Sequence, residues 1–402
     1  MARKIITDII TSEMKGINGA NRVTEKLIFG YDVFQSQDVE LRYLYTEDGR
    51  VDCANYTSKM GQYTEEYLNQ RGTIEKLKKI PIYTSYPVQA LMQYRAIRRC
   101  KRAVDIYLEK NEPADCIIFQ DGFCAYYYLR AMKRKTRKEK MLWITHADQD
   151  PMEQFRISRP ALAGTQADKN LAKIMKLVYE SMDKVVTICM PAFNYVSKHY
   201  KAKAACIING IEDIPADTTS AVKDPTKKKV VILGTVTYRK GHDLLIKGLS
   251  LLTPEERDQV ELHVVGKGDL LEPLKKEIQE YGYEHCCVLH GELRDVAGTL
   301  GQMDAMILPS RADTVPIAII EGLRSSLPVF STAVGEIPNM IDGCGVIIEA
   351  TEEGVAQTFR YVLHEKEEME RMTKMARKQY ENKFTLNVMI GKYANEIRGL
   401  FD

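Results

Sequence analysis

The 402-residue chain has no window of about 18 uninterrupted apolar residues, so its sequence offers no candidate membrane-spanning helix. Its nine cysteines include no C-x-x-C pair, and the pattern H-E-x-x-H does not occur, which argues against a zinc site. We therefore expect reduced, buried thiols rather than a disulfide framework. Reduced thiols are typical of a cytosolic protein, so a cytoplasmic location is expected. The first residues form a strand-like pattern that is too short and too acidic for a signal peptide.

The chain also lacks a strong overall charge, since 57 Lys and Arg stand against 55 Asp and Glu, a net of +2. The charges are unevenly divided: residues 1–209 carry 34 bases and 24 acids (+10), and the remainder carries 23 bases and 31 acids (−8). This asymmetry and the length favour two domains, for which a hydrophobic content of 45% is sufficient. The basic first half predicts an anionic partner.

Short apolar runs alternate with amphipathic segments through both halves. The predicted strands are residues 5–10, 40–45, 116–119, 141–145, 184–188, 205–208, 230–233, 261–265, 286–290, 305–308, 329–332 and 346–349. Helical patterns fill most of the intervals, which predicts an α/β fold of two doubly wound, Rossmann-like domains whose strands end at a cleft. The long, polar and Tyr-rich segment 46–83 is the exception, where we expect a loop or short helices.

The composition also predicts the boundaries of the domains along the sequence. We expect a first domain over residues 1–209 and a turn-rich linker over 210–229. A second domain is expected over 230–382. Residues 383–402 then have the apolar spacing of a final, core-packing helix.

One stretch, residues 304–323, carries the strongest functional signal: D-A-M-I-L-P-S-R-A-D-T-V-P-I-A-I-I-E-G-L. It predicts a buried strand, a polar loop and a helix that begins at Pro316, whose free N–H groups would attract an anion. Asp313 would lie before that helix and Glu321 about one turn inside it. Because carboxylates repel an anion, the pair suits the hydroxyl groups of a ligand that also carries phosphate, such as a nucleotide-sugar. Two unrelated surface acids are the alternative.

A second anion site is predicted after the strand at residues 230–233, where the sequence continues G-T-V-T-Y-R-K-G. Gly234 allows a close turn, and Arg239 and Lys240 place two cations where the next helix starts. Cations at a helix N-terminus oppose its dipole, which favours a diphosphate bound between them over an ordinary basic turn.

The first half offers weaker candidates. Gly16 and Gly19 follow the first strand and precede a helix, where backbone N–H groups can approach a phosphate, although such turns are common without a ligand. His146 follows the strand at residues 141–145, where it can donate to a sugar hydroxyl or a phosphate. A purely structural histidine is equally compatible with that position.

In combination these motifs resemble those of retaining glycosyltransferases of the GT-B fold, in particular glycosyltransferase family 4. The family's Glu-x7-Glu spacing is matched with Asp313 in the first position. Its basic loop is matched at Gly234 and Lys240, with Thr235 in place of the family's Arg, and its Gly-Gly loop is matched at Gly19. The resemblance covers nearly the whole chain and implies a final helix that crosses back to the first domain.

The resemblance implies a retaining hexosyl- or N-acetylhexosaminyltransferase that uses a nucleotide-diphosphate sugar, a UDP-sugar in the first instance. The acceptor would be a glycan, a lipid-linked sugar or a protein glycan, and neither a metal nor another cofactor is expected. The residues implied in catalysis are His146, Arg239, Lys240 and Asp313. The residues implied in donor binding are Gly16, Gly19, Gly234, Arg294, Val315, Pro316, Ile317 and Glu321.

Individual roles also follow from the resemblance. Glu321 would hold the ribose hydroxyls, Asp313 the donor-sugar hydroxyls, and Arg294 would lie beside the nucleobase. Arg239, Lys240 and the backbone of residues 315–317 would stabilise the leaving diphosphate, which is the main catalytic contribution.

Two other functions remain open from the sequence. An epimerase or hydrolase of nucleotide-sugars on the same fold would need an acid–base pair in the first domain, where His146, Asp148 and Asp150 are the candidates. A non-catalytic, nucleotide-sugar-binding partner subunit is the other, because Asp313 and Thr235 depart from the family pattern.

Two basic stretches lie in the first half, R-A-I-R-R-C-K-R at residues 95–102 and K-R-K-T-R-K-E-K at 133–140. They predict either solvated helix ends or contact with an anionic membrane, which would place the protein at the inner membrane face. Nucleic acid is not expected as a partner, because the surrounding motifs are not those of a recognition fold.

Overall fold

The computed structural model describes residues 3–14, 19–57, 84–110, 112–132, 138–147, 150–200, 203–214, 226–293 and 296–402. The chain divides into two compact units, Met1–Ile208 with Met389–Asp402, and Asn209–Val388. The first unit thus ends one residue before the predicted position 209. Residues 215–225 of the predicted linker lie outside the described residues.

The first unit contains a seven-stranded sheet in the order β3-β2-β1-β4-β5-β6-β7. Its strands are β1 (Ile5–Ile10), β2 (Val39–Thr46), β3 (Gly49–Asp52), β4 (Cys116–Phe119), β5 (Lys140–Thr145), β6 (Lys184–Thr187) and β7 (Ala204–Cys206). Its helices are α1 (Gly19–Phe29), α2 (Tyr31–Gln35), α3 (Tyr86–Glu109), α4 (Gly122–Met132), α5 (Pro151–Ser158), α6 (Gln166–Ser181) and α7 (Met190–His199). The described strand pairs are parallel apart from β2 and β3.

The hairpin of β2 and β3 corrects the expectation of a loop or short helices from residue 46. Thr46 pairs with Gly49 and Tyr43 with Asp52 in an antiparallel ladder. The two-residue turn Glu47-Asp48 reverses the chain, and the following strand is short and partly exposed, so it lacks the apolar run that marked the other strands. Residues 58–83 lie outside the described part of the chain.

The second unit contains a six-stranded sheet in the order β10-β9-β8-β11-β12-β13, in which the described strand pairs are parallel. Its strands are β8 (Lys228–Leu233), β9 (Val260–Val265), β10 (Cys287–Gly291), β11 (Ala305–Leu308), β12 (Val329–Ser331) and β13 (Gly345–Ile347). Its helices are α8 (Leu245–Ser250), α9 (Pro254–Asp258), α10 (Leu271–Tyr281), α11 (Val296–Leu300), α12 (Ile317–Arg324), α13 (Ile337–Met340), α14 (Glu352–His364) and α15 (Lys366–Lys383).

The last helix, α16 (Leu386–Arg398), joins the first unit from Met389 onward. Ile390 packs so closely on Gly30 that a Cβ there would lie 2.3 Å from it. Lys184 of β6 forms an ion pair with Glu396 at 2.7 Å. The predicted final helix and its return to the first unit are therefore confirmed.

The strand order of the second sheet fixes where a ligand can bind. The chain runs outward from β8 to β9 and β10, then returns to the other side of β8 to form β11, β12 and β13. In open sheets of this kind, ligands bind outside the carboxyl ends of the strands at the point of reversal, here between β8 and β11. The two predicted anion sites follow these two strands. Among the described residues, no helix combines the length and apolar character that a membrane span requires.

Candidate functional site

The loop after β8 folds back against the end of β11. Gly234 directly follows β8, has φ 140° and donates its N–H to the carbonyl oxygen of Val265 at 3.0 Å. After a short turn, Gly241 adopts φ 80°, and a Cβ on it would lie 2.2 Å from the carbonyl oxygen of Pro309. A side chain at position 241 would therefore force the two loops apart, which explains the glycine that follows the Arg-Lys pair.

Arg311 fastens the loop after β11 to the loop after β8. Its backbone N–H donates to the carbonyl oxygen of Arg239 at 2.8 Å. Its guanidinium group donates to both carboxylate oxygens of Asp243, at 2.7 and 2.8 Å, and lies 3.8 Å from the centre of the Tyr238 ring. Bidentate pairing and cation–π contact together hold the turn that carries Arg239 and Lys240 in a fixed position.

Three of the four residues implied in catalysis meet between these loops. The Nζ atom of Lys240 pairs with Asp313, and both side chains are about nine-tenths buried. Arg239 lies at the more exposed rim, with Nη1 3.8 Å from Oδ1 of Asp313 and donating to the carbonyl oxygen of Ala312 at 2.8 Å. Two cations therefore surround one carboxylate, which leaves a local excess of one positive charge.

Helix α12 begins directly beyond this cluster. Pro316 is its N-cap residue, and the helix runs from Ile317, so the first N–H groups have no acceptor within the helix. The half-buried residue Val315 precedes the cap. Glu321 is half-buried at the fifth helical position, just over one turn inside, as the sequence predicts. The loop between β12 and α13 supports the start of α12, since the N–H of Glu336 donates to the carbonyl oxygen of Thr314 at 2.8 Å.

His242, which was not predicted from the sequence, lies close to Arg239 and Lys240 in the chain and is neutral. It has no exposed surface, and its Nδ1 atom lies 3.3 Å from the carbonyl oxygen of Thr237. Burial lowers the pKa of His242 to about 4, so the imidazole is uncharged at neutral pH. The positive charge of this loop therefore comes from Arg239 and Lys240.

In the first unit, His146 follows β5 and its Nε2 atom lies 2.9 Å from the side-chain oxygen of Gln120, which follows β4. Burial lowers the pKa of His146 to about 4, so this histidine is also neutral at neutral pH. It can therefore form hydrogen bonds but contributes no charge. The buried side-chain nitrogen of Gln120 has no partner among the described residues. Gly19 opens α1 as predicted, whereas Gly16 and Arg294 lie outside the described residues.

Arg311 and Gln120 are further residues of these sites that were not predicted from the sequence. Gln120 directly follows a buried strand at the carboxyl end of a parallel sheet, and that position was an available signal. Arg311 lies only two residues before Asp313, but its partners lie 68 and 73 residues away in sequence. Nothing in the local sequence identifies those partners.

Comparison with known proteins places this geometry in context. Residues 213–379 match the family model described as glycosyl transferases group 1. The O-antigen biosynthesis glycosyltransferase WbnH of Escherichia coli is 30% identical over 129 residues, which are 32% of this chain and 35% of that protein. The chain thus spans about a third of the length of the curated relatives that it matches first.

Solved structures resemble the chain over its full length. A glycosyltransferase from Rickettsia africae superposes with a TM-score of 0.66 at 16% identity and covers 100% of both chains. HepE of Anabaena, solved in complex with UDP, superposes with a TM-score of 0.65 at 12% identity and covers 98% of this chain and 100% of that one. The fold is therefore the GT-B fold of two Rossmann-like domains.

Proposed function

We propose that the chain is a retaining glycosyltransferase of family 4 that transfers a hexosyl or N-acetylhexosaminyl group from a nucleotide-diphosphate sugar. The observation that carries this proposal is the cluster of Lys240, Arg239 and Asp313 at the start of α12. The cluster lies within residues 213–379, which match the group 1 glycosyltransferase model. A UDP-sugar is the proposed donor, since the similar protein HepE is solved in complex with UDP.

In the proposed donor site, positively charged groups bind the diphosphate and carboxylates bind the hydroxyl groups. The diphosphate would bind at the N-terminus of α12 and beside Arg239 and Lys240, where N–H groups and cations converge. The ribose hydroxyls would donate to Glu321. Donor binding would place a phosphate oxygen in competition with Asp313 for the Nζ atom of Lys240, and Asp313 would then accept hydrogen bonds from the donor sugar.

In the proposed reaction the acceptor hydroxyl attacks the sugar from the face that the diphosphate leaves. The bond from the anomeric carbon to the phosphate oxygen breaks, the bond to the acceptor oxygen forms, and the acceptor's proton passes to the leaving phosphate. Configuration is thereby retained. Negative charge develops on the diphosphate, so the two cations would carry most of the catalysis and take the place that a metal ion has elsewhere.

The structure of the first unit gives no support to the epimerase or hydrolase alternative. That chemistry needs an acid–base pair that titrates near neutral pH, and burial lowers the pKa of His146 to about 4. Asp150 caps α5 and accepts the N–H of Met152 at 2.9 Å, so it has a structural role. Asp148 lies outside the described residues.

A turnover assay tests the proposal. We expect the full chain, stripped of metal and kept in chelator, to release UDP slowly from UDP-hexoses or UDP-N-acetylhexosamines through transfer to water. Proton NMR of the fresh product is expected to show the anomer of the donor. An inverted anomer, an epimerised donor or a requirement for divalent metal would each contradict the corresponding part of the proposal.

We also propose an acceptor presented at an anionic membrane, so that the protein acts as a peripheral protein at the inner membrane face. Helix α3 exposes apolar side chains in its first half: Tyr86 is 48% exposed, Leu91 49% and Tyr94 60%. From Arg95 onward the same helix also exposes four basic residues, namely Arg95, Arg98, Lys101 and Arg102. Spacings of three and four residues place Leu91, Tyr94 and the four basic residues along one face, so that this face offers both apolar side chains and cations to an anionic membrane surface.

Vesicle co-sedimentation tests this surface. We expect the chain to bind phosphatidylglycerol vesicles and the triple variant R95E/R98E/R102E to bind at least tenfold more weakly, since each basic residue contributes about 1 kcal/mol at an anionic surface. The matched control K275E/K276E reverses exposed charges on α10 of the second unit and is expected to bind as the native chain does. Equal binding to uncharged phosphatidylcholine vesicles would contradict the proposal.

A further inference from the structure

We infer that the first unit contains a binding site for one thiol-seeking divalent cation, Zn²⁺ in particular, formed by Cys100, Asp121 and Cys124. The two Sγ atoms and a carboxylate oxygen of these residues all lie within 4.8 Å of one another. Cys100 lies on α3, Asp121 directly precedes α4, and Cys124 lies in the first turn of α4. This inference is independent of the proposed transferase function and of the donor site in the second unit.

The site lies where α3 packs against α4. Both cysteines belong to the buried core of the unit, which is lined at this interface by small and aromatic side chains such as Ala103, Ala125 and Tyr128. The Sγ atom of Cys124 lies 3.9 Å from the carbonyl oxygen of Cys100, so this thiol is directed at α3. The packing of the two helices therefore brings the two sulfur atoms within 4.8 Å of each other.

Asp121 completes the set from the rim of the core. Its Oδ1 atom accepts the N–H of Phe123 at 2.8 Å, which fixes the carboxylate over the first turn of α4. The side chain is half-buried, in contrast to the two cysteines. A carboxylate held beside two thiols provides one oxygen and two sulfur ligands, a combination that zinc sites use.

The spacing of the donor atoms is compatible with tetrahedral zinc. Bonds of about 2.3 Å to sulfur and about 2.1 Å to oxygen place the ligand atoms roughly 3.5–3.8 Å apart. The observed limit of 4.8 Å exceeds this by about 1 Å, which rotation of the side chains can provide. The fourth position would be taken by water. Burial raises the pKa of the Cys124 thiol, so a bound metal ion would have to displace its proton.

The absence of a short-range cysteine motif led the sequence analysis away from zinc. Cys100 and Cys124 are 24 residues apart, and the packing of two helices joins them. A plain structural role is the alternative, in which the cysteines fill the core and Asp121 caps α4. Asparagine caps helices as well as aspartate does but is a poorer metal ligand, so Asp121→Asn separates capping from metal binding.

Cadmium titration tests the inference on the full chain, reduced and first stripped of metal by a chelator. We expect the sulfur-to-cadmium absorption band to saturate at one equivalent of Cd²⁺. Cys100→Ser and Cys124→Ser are each expected to remove half of the band or more and to weaken binding at least tenfold. Asp121→Asn is expected to weaken binding at least tenfold while retaining the band. Cys53→Ser, which removes a buried thiol elsewhere in the same unit, is the matched control and should behave as the native chain.

Three results would overturn the inference. They are the absence of a band at one equivalent, a band that is unchanged in Cys100→Ser and Cys124→Ser, and a Cys100–Cys124 disulfide in the protein before reduction. Circular dichroism of each variant checks that it is folded. If either serine variant does not fold, Asp121→Asn decides alone, because unaltered cadmium affinity in that variant would contradict a site that includes the carboxylate.

Discussion

Replacement of Lys240 by methionine is expected to lower kcat for sugar transfer about 100- to 1,000-fold, the loss typical of removing one preorganised group that stabilises transition-state charge. Lys240 is only 8% exposed, and its Nζ atom pairs with Asp313 beside the N-terminus of α12. A cation held out of water acts on developing charge far more strongly than a solvated one. Steady-state kinetics with the proposed UDP-sugar donor measures the effect.

Two variants control for indirect effects at Lys240. Lys247→Met removes a half-exposed lysine of α8 that pairs with Glu352 at 3.4 Å, and it is expected to leave kcat within twofold of the native value. The double variant K240M/D313N removes both charges of the pair, so no buried carboxylate is left unpaired. If the double variant folds as stably as the native chain and retains native kcat, Lys240 has no catalytic role.

Replacement of Glu321 by alanine is expected to raise the Kd for UDP about 10- to 100-fold. Hydrogen bonds to a charged group contribute about 1.5–3 kcal/mol, and the proposed contact with the ribose is removed. A more specific expected effect is that the variant no longer distinguishes UDP from 2′-deoxy-UDP. The native chain should bind UDP more tightly than 2′-deoxy-UDP, and Glu321→Ala should bind the two nucleotides equally.

The dependence of Tm on nucleotide concentration gives the Kd for UDP and the Kd for 2′-deoxy-UDP. Glu353→Ala is the matched control, since Glu353 is an exposed acid in the first turn of α14, outside the proposed site. A Glu321→Ala variant that still prefers UDP to its 2′-deoxy form would contradict the assignment of the ribose to this carboxylate.

The sequence predicted the buried strands well because a parallel sheet covered on both faces requires uninterrupted apolar runs. Ile5–Ile10 and Ala305–Leu308 are found with the predicted bounds. The first and last residues of a strand are harder to predict than its presence. For example, β8 begins at Lys228, two residues before the predicted position 230. The edge strand β3 escaped prediction because it is short, polar and partly exposed.

The candidate site was predicted as two motifs but not as one cluster. Local strand, loop and helix patterns predicted that Lys240 follows β8 and that Asp313 follows β11. Their pairing joins residues 73 positions apart, and it depends on the strand order that brings β8 beside β11. No local pattern encodes that order, which is also why Arg311 and its partner Asp243 were missed.

Thermal unfolding of the native chain across a panel of nucleotides, in chelator, tests the central claim most directly. A ligand that binds the folded state alone stabilises it by about 2.7 kcal/mol at one hundred times its Kd. We expect a diphosphate nucleotide, UDP in the first instance, to raise Tm in proportion to the logarithm of its concentration, and nucleosides without phosphate to have no effect. If no diphosphate nucleotide or nucleotide-sugar raises Tm, the second unit is not the donor site proposed here.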